Sequence, residues 1–129
     1  MYPEFFPKNC PPIEAIDEEI ESYRLCPNNE ISHYDFLSFY ELGKLKHSND
    51  IKKYGVSLLT DYQQSIAMLG MPKYKKSNNK YIAKGKTAKG LGVVLRTPSK
   101  DLSTHITWWL KINSQPENYF SIVYNNEEE

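Results

Sequence analysis

Short apolar stretches follow one another along the chain, most with a period of two and two with helical spacing. Residues 19–25 alternate, with Tyr23 and Leu25 on one face and Ser22 and Arg24 on the other. Residues 54–59 form an apolar run of the buried-strand type. Residues 81–87 and 91–97 flank Ala88-Lys89-Gly90 and predict a hairpin. Residues 103–110 are rich in Thr, Ile and Trp and carry the strongest strand signal, and residues 119–124 predict a last strand.

Helical spacing appears first over residues 33–42, where Phe36, Phe39 and Tyr40 recur beside Leu37. Ser32 stands as N-cap with Asp35 three residues on, in the manner of a capping box, and Gly43 sits where a C′ residue belongs. A second helix is predicted over 61–69, capped by Thr60 with Gln63, with Tyr62, Ile66 and Leu69 as its apolar face; Gly70 and Pro72 end it. The acids after Pro11-Pro12 suit a short helix at 13–18. Residues 1–12 read as an extended arm packed on the domain, 44–53 and 73–80 as polar loops, and 125–129 as an acidic solvated tail. The element order predicts one α+β domain over 1–129, with two main helices against a mostly antiparallel sheet of about five or six strands.

Net charge is zero but unevenly placed. Residues 1–61 hold eleven acids and six bases, whereas 73–100 hold nine Lys or Arg and no acid. That basic stretch, with Tyr74 and Tyr81 interleaved, has the footprint of nucleic-acid binding through Lys73 to Lys100. An acidic protein partner, or the acidic half of the same chain, would use it equally well. No run of ~18 apolar residues predicts a membrane span, and Met1 to Pro7 lacks the features of a signal peptide. The expectation is a cytoplasmic chain with Cys10 and Cys26 reduced. His33, His47 and His105 lie far apart, and no Cys-x-x-Cys spacing occurs, so no metal site is expected.

Candidate chemistry begins with Ser103-Thr104-His105-Ile106-Thr107-Trp108-Trp109-Leu110. Alternation places Thr104, Ile106, Trp108 and Leu110 on a core face, and Ser103, His105, Thr107 and Trp109 on a face suited to a polar ligand. Tyr81, Lys84 and Lys86 offer a second ligand surface on the basic segment. Arg24 has the fork geometry that grips phosphate or carboxylate, and Ser57 lies in a strand that runs at once into a helix N-terminus.

Three pieces together carry a resemblance. They are Tyr23-Arg24-Leu25 followed by Asp35-Phe36-Leu37-Ser38, then Gly55-Val56-Ser57, then Ile82-Ala83-Lys84-Gly85 followed by His105-x-Thr107-Trp108-Trp109. The chain resembles a family of short, uncharacterised bacterial proteins common in cyanobacteria, which implies a bacterial, cytoplasmic origin. A looser resemblance is to ADP-ribosyltransferase-type toxins, in which Arg24 would match the NAD-phosphate arginine and Ser57 the strand serine. The Ser-Thr-Ser triplet of those toxins is absent, since Leu58 and Leu59 follow Ser57, and Glu117 precedes the last strand rather than lying in it.

Two function classes follow. The first is a binding module without catalysis or cofactor, acting with a protein partner in a toxin–antitoxin or phage-defence system. The second is a small NAD-using transferase of the toxin type, with Arg24 on phosphate, Ser57 orienting the ribose and His105 polarising or binding.

Overall fold

The structure is a computed structural model that describes residues 1–43 and 49–126, apart from the side chains of residues 76 and 77. Six strands are present: β1 (Glu21–Cys26), β2 (Val56–Leu59), β3 (Tyr81–Lys86), β4 (Gly92–Arg96), β5 (His105–Leu110) and β6 (Phe120–Asn125). They form one sheet in the order β4-β5-β2-β1-β3-β6, every pair antiparallel. Among the described residues a single α-helix, α1 (Tyr62–Gly70), is joined by 3₁₀ turns at His33–Phe36, Ile51–Tyr54, Pro72–Ser77 and Pro116–Tyr119. The α+β class and the antiparallel sheet are as the sequence predicts; the second main helix is not.

The capping box at Ser32 and Asp35 forms, but what it starts is one turn of 3₁₀ helix, because Leu37 already has extended backbone. The aromatics read as one helical face go to three places. Phe36 packs against Phe120, Tyr40 stacks on Phe5 and packs against Tyr54, and Phe39 stays half exposed beside Lys53. A single turn closes again from Ser38 to Gly43, whose φ of +76° ends it as a C′ glycine would.

The helix α1 matches its expected span and apolar face. Tyr62, Ile66 and Leu69 pack on Tyr23, Ile82 and Tyr124. Its cap is Asp61, not Thr60: the Asp61 carboxylate accepts from the Gln64 N–H at 2.7 Å. Residues 13–18 form no helix; Ile16 instead exchanges two backbone hydrogen bonds with Val94 and so covers the free edge of β4. The 3₁₀ turn Ile51–Tyr54 takes the end of the expected loop 44–53 and the first residue of the strand expected over 54–59, while 44–48, His47 among them, lie outside the described residues. So does the Glu127–Glu129 end of the acidic tail.

The expected hairpin of β3 and β4 does not form. β3 pairs with β1 and β6, β4 with β5, and three strands stand between them. Thr87 and Gly90 bond instead to Ile20, Glu18 and Asp17, which carries the chain across to the far edge. Local pattern marks strands, but pairing is decided by which faces must be covered.

Both faces of the sheet are covered. One carries Val56, Leu58, Ala83, Val94, Ile106, Trp108 and Phe120, packed with Phe36. The other carries α1 over Tyr23 and Ile82 at one end. At the opposite end it carries the N-terminal arm, whose Phe5 and Phe6 join Tyr40 and Tyr54. Trp108 and Trp109, on opposite faces of β5, are both fully buried. At ~150–250 Å² per aromatic side chain, each supplies about 4–6 kcal/mol of transfer free energy.

Candidate functional site

Between α1 and the Ile51–Tyr54 turn the second face is left open, and a cleft of about 660 Å³ occupies the gap. Its floor is where β1 and β2 part. Their ladder is in register only at Tyr23 and Leu59. Beyond that pair the Arg24 side chain replaces strand pairing: Nε donates to the Asp35 carbonyl and Nη1 to the Ser57 carbonyl, both at 2.8 Å. The remaining N–H groups of this guanidinium take no partner among the described residues. Burial holds the Arg24 pKa below its ordinary value, with Asp35 acting the other way.

His105 lines the same cleft from β5. Its Nδ1 lies 2.9 Å from Thr97 Oγ1 and 3.1 Å from the Thr97 carbonyl. A carbonyl only accepts, so that contact assigns the proton to Nδ1 and leaves Nε2 with a lone pair. Burial lowers the His105 pKa, and the charges of Lys52, Arg24 and Lys53 lower it further, so the ring is neutral at pH 7. Thr97 Oγ1 also bonds Thr107 Oγ1 at 2.8 Å, which fixes the ring's support.

The cleft therefore brings together Arg24, Ser57 and His105, three residues singled out in the sequence from three different strands. It adds residues that sequence reasoning missed: Lys52 and Lys53 on the 3₁₀ turn, Asp35 and Asp50, and the rings of Tyr34 and Phe39. Lys52 and Lys53 lie in a polar stretch without periodicity; the one local signal is Asp50, whose side chain caps the turn by accepting from the Lys52 N–H at 3.1 Å. Asp35 is similarly used on the Ser32 N–H at 2.9 Å. Both carboxylates thus hold backbone, while Lys53 projects over the Phe39 ring, 5.0 Å from its centroid.

The other expected ligand residues are placed elsewhere. Thr107 and Trp109 are fully buried, and the Trp109 indole donates to the Ile51 carbonyl at 2.9 Å. They share a face with His105 as alternation requires, but the Ile51–Tyr54 turn and the arm cover it, so the exposed ligand face expected of this strand ends at His105. The Tyr81 ring is in the core. Lys84 pairs with Glu21 at 3.1 Å and Lys86 with Glu19 at 3.2 Å; Arg96 and Lys73 pair with Glu18 and Asp101. Lys73, Lys84, Lys86 and Arg96, all from the basic stretch between 73 and 100, are thus engaged by acids of the same chain. Glu21 pairing holds the Lys84 pKa above its ordinary value.

Neither thiol is poised for chemistry. Burial pushes Cys10 up to about 11 and Cys26 up to about 12. Both are free, Cys10 beside Ile51 and Cys26 against the Arg24 carbonyl. Among the described residues no group of three or more His, Cys, Asp or Glu is arranged to hold a metal ion, and no helix is long and apolar enough to cross a membrane. No protein-family model, curated protein or solved structure matches the chain.

Proposed function

We propose that the protein is a binding module whose cleft takes a small anion carrying an aromatic ring, of the nucleotide type. The observation that carries this reading is the convergence of Arg24, Lys52 and Lys53 with the rings of Tyr23, Tyr34 and Phe39 around one cleft. A cleft of about 660 Å³ lies in the size range of small-molecule sites. Cations favour phosphate, rings offer a stacking surface, and the neutral His105 Nε2 supplies an acceptor for a base or sugar donor. The two carboxylates in the cleft do not oppose an anion fully, since each already accepts a backbone N–H.

The test is titration calorimetry with ATP, ADP and adenosine at low salt. Binding of the nucleotides, weak or no binding of adenosine, and a loss of about tenfold or more in the Lys52→Ala/Lys53→Ala variant are expected. Equal binding of adenosine and ATP, or no binding of any of them, would remove this reading.

One observation favours a second reading, an NAD-using transferase: Arg24, Ser57 and His105 line one cleft. Against it, the Asp35 and Asp50 carboxylates of the cleft hold turns. Release of nicotinamide from NAD, abolished in Ser57→Ala, is the result that would favour it.

A further inference from the structure

The cleft does not end at Tyr74. A second hollow, of about 680 Å³, begins on the other side of that ring, and the two share Leu25, Tyr74 and Asn79 as common wall. The second hollow is lined by Lys75 and Lys80 and by the amides of Asn78, Asn79 and Asn126. Each compartment on its own is the size of a small-ligand site. A 3₁₀ turn, Pro72–Ser77, presents the Tyr74 ring between them, and Asn78 with φ of +58° turns the chain back at its end. Lys73 lies over the Tyr74 ring, 5.6 Å from its centroid, and is tied to Asp101 at 3.2 Å.

Along this path the chemistry repeats. Arg24, Lys52 and Lys53 stand in the first compartment, a ring separates it from the next, and Lys75 and Lys80 stand in the second beside three amides. Cations spaced along a groove with an aromatic ring between them suit a ligand whose phosphates repeat and whose bases stack. Amide side chains add donors and acceptors for base edges. Lys84, Lys86 and Arg96 lie outside both compartments.

We infer that the two compartments form one track for single-stranded nucleic acid, taking at least two successive nucleotides with Tyr74 as the stacking platform between them. This rests on the reading of the first compartment as a site for nucleotide-type anions, and it extends that reading from a mononucleotide to a strand.

The experiment is fluorescence anisotropy with labelled single-stranded RNA and DNA 12-mers and the corresponding duplex, set beside calorimetry with ADP, on folded full-length protein. The 12-mers are expected to bind at least tenfold tighter than ADP, with affinity falling as salt rises, at a log–log slope of about −2 to −3 if three or four phosphates are neutralised. Lys75→Ala should weaken the 12-mers several-fold and leave ADP unchanged. Tyr74→Ala should cost the 12-mers about tenfold or more, and Tyr74→Phe should restore them, since every base stacks on a ring.

The outcomes separate. If ADP binds but the 12-mers bind no tighter, or Lys75→Ala weakens both alike, the track is refuted and the mononucleotide site stands. If neither ADP nor a strand binds, both readings fall. A duplex that binds as tightly as the single strand overturns the stacking argument. Equal binding of poly-glutamate, insensitive to Tyr74→Ala, overturns it in favour of an acidic protein. Preference between RNA and DNA in an otherwise positive result names which strand the track takes.

Discussion

Replacing Trp109 separates a buried anchor from an exposed ligand contact. The side chain is fully buried, and its indole N–H is a partner of the Ile51 carbonyl at 2.9 Å. Trp109→Phe keeps a ring but removes the donor and part of the volume. Leaving a buried carbonyl without its partner costs about 1–3 kcal/mol, and the space left behind adds ~1 kcal/mol if the site collapses only in part. The expected loss is therefore about 2–4 kcal/mol for Phe. For Ala it is ~3–5 kcal/mol from the transfer and cavity effects of deleting a large aromatic. Against a total stability of roughly 5–15 kcal/mol, the Ala variant gives up a large fraction of the fold. Urea unfolding followed by far-ultraviolet circular dichroism measures both, with the slope checked so that midpoints compare as free energies. If Trp109→Phe lies within ~0.5 kcal/mol of the wild type, as surface substitutions do, the seating of β5 beneath the Ile51–Tyr54 turn is wrong. The residue would then return to a ligand-facing role.

Three further outcomes are expected. Gly85→Ala should destabilise strongly, by ~2 kcal/mol or more, because the added β-carbon would collide with the Tyr119 carbonyl and the Phe120 ring; a thermal midpoint unchanged from wild type contradicts that packing. Asp61→Ala should cost about 1 kcal/mol as a lost N-cap, with Thr60→Ala costing clearly less, a ranking that chemical unfolding of the two variants decides. His105 has a folded pKa below its unfolded value of about 6.5, so the unfolded chain takes up a proton that the folded one refuses. Its contribution is present above that pH and declines as pH falls through about 6.5 toward the folded pKa. Urea midpoints at pH 7.5 and 5.5 should therefore fall less in His105→Gln than in wild type, and an equal fall would place the linkage on another group.

How much of this was legible in the sequence depended on whether the cause was local. Strand positions follow from alternation, and all six strands lie within or beside the expected stretches. The apolar face of α1 follows from the spacing of Tyr62, Ile66 and Leu69. The stretch 33–42 misleads because helical spacing of Phe36, Phe39 and Tyr40 also arises when successive turns send aromatics to separate neighbours. Trp109 misleads for a related reason: alternation divides a strand into two faces but does not say that a turn 58 residues away, and an arm still earlier in the chain, will cover the second. The same distance hides Lys52 and Lys53, which gain meaning only when β2 carries their turn to the rim of the cleft occupied by Arg24 and His105. Arg24 and His105 stand out in the sequence because a charged group and an imidazole inside strand patterns need an explanation, and tertiary structure supplies one.

The parting of β1 from β2 has a mechanical side. With one ladder register and an arginine in place of further pairing, the sheet is two three-stranded panels joined along a seam at Tyr23 and Leu59. The cleft straddles that seam, with Leu25 on one panel and His105 on the other. A ligand gripped from both sides would act as a rivet, so its affinity would include the free energy of fastening the two panels together.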